Sequence, residues 1–300
     1  MRSFTLKYCL LFILLLSILG GGILFYMGFF SKLLSTKPDT EPPQAVKNIP
    51  AHTENWAPYR RKVPDAAVQS IIVDLGLREI APIKERPFCM RIDIIMNSPD
   101  KHGMISPEEF ETLSAMDDAF ESGLAVHGVS YAGRVSARGK ISVYLYVSDP
   151  GRIEGSLSAV MAQFPPYKYE QKVDREDDWN SYFHILYPEP IELQTLHNSM
   201  LIGNLRKQGD KLEKARPVDH WIYFSSEADR ERFITSINRL GFKVEGMEKV
   251  DKFENPYQLR LSRKDKVDPE SVDSYVLDLW QKAKDADGEY DGWETFIVKD

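Results

Sequence analysis

The chain has 300 residues, of which 43% are hydrophobic and 28% charged, with a net charge of −7. That balance fits a globular body of about two domains and excludes a disordered chain; so acidic a surface also disfavours direct nucleic-acid binding, which needs cationic groups against phosphates. The two cysteines, Cys9 and Cys89, exclude a disulfide framework, a CxxC pair and a cysteine-based zinc site.

The chain opens on "YCLLFILLLSILGGGILFYMGFF" (Tyr8 to Phe30), an uncharged run between Lys7 and Lys32. A bilayer-spanning helix needs about 20 apolar residues, and a cleaved secretory signal has a shorter core followed by an A-x-A-like site. The run therefore predicts an uncleaved transmembrane anchor over 8–30, with cleavage near Gly20–Gly22 as the alternative. The basic residues on its two sides, Arg2 and Lys7 against Lys32, Lys37 and Lys47, barely decide orientation. The very short leading segment sets the expectation: it stays in the cytoplasm, as in a signal anchor. The protein is then a single-pass protein of the bacterial inner membrane with its body outside the cytoplasm. Residues 31–51 hold Pro38, Pro42, Pro43 and Pro50 in a polar stretch and read as a semi-extended linker.

The body begins near His52. "VQSIIVDLGL" (Val68 to Leu77) and "FCMRIDIIM" (Phe88 to Met96) read as strands, with Cys89 a small core residue. "SPEEFETLSAMDDAFESG" is a helix with Ser106 as its cap, Pro107 in its first turn, and Phe110, Leu113 and Phe120 on its inward face. "AVHGVSYAGRV" and "KISVYLYVSD" form a hairpin around "SARG". "PGRIEGSLSAVMAQF" is a second helix, and "YKYEQKVDREDDWNSYFHILYP" a second hairpin turning at "DREDD". These elements make an α+β domain over 52–190.

"EPIELQ" reads as a bridge. The helix "QTLHNSMLIGNLRKQGD" follows, with Leu196, Met200 and Leu201 inward. Over 194–300 the order is then β-α-β-β-α-β. The strand "RPVDHWIYFSS" sets Val218, His220, Ile222 and Phe224 on one face and Asp219, Trp221 and Tyr223 on the other. A helix capped by Ser226 presents Phe233, Ile237 and Leu240. The strands "FKVEGMEKV" and "YQLRLSRKD" come next. A helix capped by Asp268 presents Val272, Val276, Leu279 and Trp280, and "WETFIV" closes the sheet. This is the split βαβ pattern of a ferredoxin-like fold. The fold class expected is α+β: two α/β-sandwich domains, the second ferredoxin-like, behind one transmembrane helix. "GEYDGWET" reads as the turn into the last strand, with Gly288 ending the helix, Gly292 left-handed, and Trp293 and Phe296 as anchors.

"GEYDGWETFIV" after a Leu/Trp helix, with "GFKVEGMEKV", "YQLRLSR" and "GDKLEKARPVDHWIYFSSEADRERF" before it, resembles the regulator of ribonuclease E activity B family over about Leu196 to Val298. "NWAPYRRKV", "SIIVDLGL", "RPFCMRIDI" and "DDWNSYFHILYP" resemble the family called domain of unknown function 695, over about His52 to Pro190. The first resemblance implies a protein that binds a ribonuclease as partner and is not itself a nuclease. It places Tyr290, Asp291, Gly292 and Trp293 in the family motif; with Glu294 they form the candidate interaction and structural signature. An anchor, a linker and an extra domain set this chain apart from that regulator, and a body outside the cytoplasm would exclude ribonuclease E as its target.

No catalytic, cofactor or metal residues are assigned. The acids Asp285, Asp287, Glu289, Asp291 and Glu294 fail as a calcium loop, because Val298 stands where a bidentate Glu is required. The six histidines show no HxxxH or HExxH spacing, and GxSxG, P-loop and GxGxxG motifs are absent. Two functions remain: a membrane-anchored, non-enzymatic regulatory module with a protein partner and no cofactor, or a small-ligand binder or hydrolase using a cleft between the domains.

Overall fold

A computed structural model of the chain describes residues 51–64, 68–250 and 254–299. The expected transmembrane segment 8–30 and the linker up to Pro50 lie outside these residues. Among the described residues, no helix is long and apolar enough to cross a membrane. The body is α+β, with two sheets in two compact units that divide in sequence between His197 and Asn198.

In the first unit six antiparallel strands run in the order β1-β2-β4-β5-β3-β6: β1 (Trp56–Lys62), β2 (Val68–Asp74), β3 (Phe88–Ile95), β4 (Ser130–Ala137), β5 (Lys140–Val147) and β6 (Tyr169–Arg175). Strand alternation splits β5 between two cores. Ile141, Val143, Leu145 and Val147 join Met90, Ile92 and Ile94 of β3 under two helices, α1 (Pro107–Leu124) and α2 (Glu154–Met161). Tyr144 and Tyr146 join Cys89, Ile71 and Val73 on the other face, beneath Trp179, Tyr182 and Leu186.

Three expectations for this unit are corrected. β1 was not foreseen; Pro58 lies in its middle, opposite Ile72, and an edge strand tolerates a residue without an N–H. The expected hairpin after β6 is absent: β6 pairs with β3, and the chain then turns through a π-helical turn, Tyr182–Leu186. The aromatic, β-branched composition of "SYFHILYP" imitates a strand, yet Trp179, Tyr182 and Leu186 recur at helical spacing and all three are fully buried. Trp179 takes a left-handed φ of 55°, held by a parallel stack on Tyr146 at 3.9 Å and by its indole N–H donating to the Arg86 carbonyl at 3.0 Å. In α1, Phe110 is exposed, and Leu113, Met116, Phe120 and Leu124 make the buried stripe.

Helix α3 (Pro190–Lys207) starts four residues before the sequence reading places it, within the stretch read as a bridge. Met200 is exposed; the buried positions are Leu196, Asn198, Ile202 and Leu205. The second unit then runs β7 (Arg216–Phe224), α4 (Glu227–Ile237), β8 (Lys243–Lys249), β9 (Tyr257–Asp265), α5 (Pro269–Asp285) and β10 (Gly288–Glu294), with antiparallel strand order β10-β7-β9-β8. Both helices start on the expected caps: Ser226 accepts the Asp229 N–H and Asp268 the Ser271 N–H, at 3.2 and 3.0 Å. Their apolar stripes, Phe233 and Ile237, and Val272, Val276 and Leu279, pack with Val218, Ile222 and Phe224 of β7 and with Leu259 and Leu261 of β9.

Candidate interaction face

β10 carries the signature, and its placement corrects the reading of "GEYDGWET" as a turn. The turn is shorter: Ala286 caps α5, Asp287 takes a left-handed φ of 55°, and Gly288 is already in the strand. A side chain on Gly288 would meet the Phe224 ring at 2.3 Å. Glycine is needed there for close approach, not to end a helix.

A β-bulge falls between Tyr290 and Gly292. Tyr290 pairs with Ile222, Gly292 with Trp221 and Trp293 with His220, so Asp291 is the extra residue. Gly292 has φ 154°, outside what a side chain readily adopts. In a regular strand, residues three apart point to opposite faces. The bulge resets that alternation, so both Tyr290 and Trp293 enter the core.

Inside, the Trp293 indole N–H donates to Asn198 Oδ1 at 2.9 Å, and Asn198 Nδ2 donates to Asp273 Oδ1 of α5 at 2.8 Å. Nothing in "QTLHNSML" distinguishes Asn198 from a surface amide, and it was missed. His220 Nδ1 pairs with the Tyr290 hydroxyl at 2.7 Å, and its ring meets Phe242 and Tyr275 edge-on. Burial, with Arg263 nearby, lowers the His220 pKa to about 3. Residues after Glu294 leave the sheet. Phe296 is exposed, which corrects its expected anchoring role. The tail is instead tied by a buried ion pair between Asp210 and Arg216: Arg216 Nη1 donates to the Phe296 carbonyl at 3.0 Å, and Val298 N–H donates to Asp210 at 2.8 Å. The Arg216 hydrogen bonds hold the Asp210 carboxyl well below the usual range.

The other face of this sheet carries Asp219, Trp221 and Tyr223 of β7, Gln258 and Arg260 of β9, and Glu289 and Glu294 of β10. The Arg260 guanidinium lies 5.4 Å from the centre of the Trp221 ring and 3.4 Å from Asp219 Oδ1. Gln258 Nε2 donates to the Tyr223 hydroxyl at 2.7 Å. Glu294 lies opposite Asp219, and burial with that neighbour raises its pKa against the pull of Arg260. Asp291 is raised to about 6 by burial, with Glu289 adding to it. Asp219, Glu289, Asp291 and Glu294 thus surround one guanidinium and two aromatic rings. The five signature residues separate by role: Tyr290 and Trp293 in the core, Gly292 at the bulge, Asp291 and Glu294 among the acids.

Asp287, within the rejected calcium loop, accepts a hydrogen bond from Arg232 at 2.8 Å. Among the described residues, no group of three His, Cys, Asp or Glu side chains could hold a metal ion. Asp177, at the turn after β6, pairs with Arg175 at 2.9 Å on the surface.

No curated protein matches the chain. Among solved structures, an unknown protein from Galdieria sulphuraria aligns over 71% of this chain and 99% of its own, at 9% identity and a TM-score of 0.20; a likeness that low carries no argument. Residues 54–187 match the model of a family of unknown function (DUF695), and residues 195–295 match the family model described as regulator of ribonuclease activity B, in the order that the sequence resemblance implied.

Proposed function

We propose that the chain is a membrane-tethered, non-enzymatic regulatory module whose C-terminal unit docks a protein partner. The observation that carries this reading is the match of residues 195–295 to a family described as a regulator of ribonuclease activity. The docking face we assign is the sheet surface bearing Asp219, Trp221, Arg260, Asp291 and Glu294. In this ferredoxin-like arrangement both helices serve the opposite face, and aromatic rings among carboxylates suit a partner segment with basic side chains. The apolar run Tyr8 to Phe30 supports the tether.

Topology decides the partner. Alkaline phosphatase and green fluorescent protein are fused after Asp300 in separate chains. Phosphatase activity without fluorescence puts the body outside the cytoplasm, removes ribonuclease from the partners and leaves an envelope protein. Fluorescence without phosphatase activity puts the body beside a membrane-associated ribonuclease. In either compartment, Asp219→Lys with Glu294→Lys should lower crosslinking to the partner at least about tenfold, the scale of one lost charge contact, with the melting temperature kept. Unchanged crosslinking would remove this face from the reading.

A further inference from the structure

Arg86 is the exceptional cation of the first unit. It is 6% exposed, and its Nε has no hydrogen-bond partner among the described residues. Arg91, Arg134 and Arg230 also have a buried nitrogen without a hydrogen bond, but each has a carboxylate beside it: Asp93, Asp117 and Glu227. Arg86 pairs with no carboxylate among the described residues. Its side-chain partner is the Ser130 hydroxyl, through Nη1. The charge that acts on it is Glu85, its exposed neighbour in sequence.

The chain holds this guanidinium in place. The Arg86 N–H donates to the Ile83 carbonyl at 2.9 Å, its own carbonyl accepts the Trp179 indole N–H at 3.0 Å, and the Pro87 carbonyl accepts the Glu176 N–H at 2.7 Å. Trp179 is itself fixed by its stack on Tyr146. A buried, uncompensated cation is costly, and a preorganised one is the usual way of recognising an anion. The geometry of the match is visible elsewhere in the same unit. Arg61 holds Glu192 along its Nε–Nη2 edge, with Nε at 2.9 Å and Nη2 at 2.8 Å from the carboxylate. Arg86 spends Nη1 on Ser130, and the Nε of that same edge meets no acceptor among the described residues.

We propose that Arg86, with Ser130 orienting it, is a carboxylate-binding site of the first unit. A carboxylate matches the Nε–Nη2 edge in charge and in its two acceptor oxygens, as Glu192 does on Arg61. The carboxylate comes from a small organic acid or from the end of a peptide.

The test is thermal melting of the full chain in sodium acetate against sodium chloride at matched ionic strength. Acetate should raise the wild-type melting temperature saturably, and Arg86→Met should abolish that rise. Arg86→Met should also melt no lower than wild type in chloride, because it removes an unpaired buried charge. In a chain with ¹⁵N-labelled arginine, acetate should shift the Nε resonance that Arg86→Met deletes. Tetra-alanine with a free or an amidated C-terminus separates the sources: a rise with the free acid assigns peptide ends, and acetate response without it assigns small acids. An acetate response equal in wild type and Arg86→Met, or no response together with a lower-melting Arg86→Met, would overturn the proposal and make the guanidinium a structural donor to Ser130. Ser130→Ala keeps the test open if Arg86→Met does not fold: it should weaken the acetate rise severalfold, and an unchanged rise would count against the site.

Discussion

Trp293 is held twice, by its ring in the core and by its indole N–H on Asn198. Trp293→Ala should cost about 3–5 kcal/mol in chemical denaturation. Asn198→Ala should cost about 1–3 kcal/mol, because it leaves the indole donor without its acceptor. The double variant should fall short of the sum, since both changes remove one bond. His220 sets a pH dependence. Its folded pKa, about 3, lies below the ordinary 6.5. The folded state therefore keeps it neutral while the unfolded chain takes up a proton. Its stabilising effect is complete above pH 6.5 and is lost as pH falls toward 3, about 2 kcal/mol by pH 5. Denaturation at pH 7 and pH 5 should show that loss, and His220→Phe should flatten it. Asp291 has the opposite sign: a folded pKa of about 6, above the ordinary 3.8, favours folding in acid and is lost as pH rises through 6. Asp291→Asn should therefore stabilise the protein by about 1 kcal/mol at pH 7, after allowance for solvent screening.

At the scale of elements, legibility followed chemistry that acts locally. Ser106, Ser226 and Asp268 announced their helices, because a cap is decided within four residues of chain. The inward and outward faces of β7 were equally legible from strict alternation. What escaped depends on partners far away in sequence. β1 is a strand because β2 lies beside it, and Pro58 hid it. Phe110 and Met200 are apolar at helical spacing yet face solvent, because the rotation of a helix is set by what it packs on. In the signature, Trp293 was readable as buried, while its partner Asn198 lies 95 residues earlier. Gly288→Ala should cost about 1–3 kcal/mol by overpacking against Phe224. That cost can be read from the denaturation midpoint at unchanged slope.

For the molecule as a whole, three buried clusters among the described residues lie about two sheets, two in the first unit and one in the second, and match the two domains that the chain's length suggests. The basic residues before Asn48, Arg2, Lys7, Lys32, Lys37 and Lys47, outnumber the acids there, Asp39 and Glu41, so the body is more acidic than the whole. Partner capture through the acid-rich sheet face should weaken as salt rises from 50 to 500 mM. Apolar docking through Trp221 alone would not.

The bulge at Asp291 acts as a parity device. Tyr290 and Trp293 sit an odd number of positions apart, and one surplus residue converts that into an even count along the ladder. The bulge in the YDGW motif matters more than the side chain at its second position. Closing the bulge with every residue kept would swing everything beyond it half a turn, sending the indole to solvent and the Glu294 carboxylate into the core; excising Asp291 instead leaves Tyr290 and Trp293 two apart, so both rings stay inward. Exchanging Asp291 for asparagine leaves the count intact. Deletion of Asp291 should therefore leave a folded unit, while Gly292→Val, which denies the bulge its backbone, should lower the denaturation midpoint more than the deletion does.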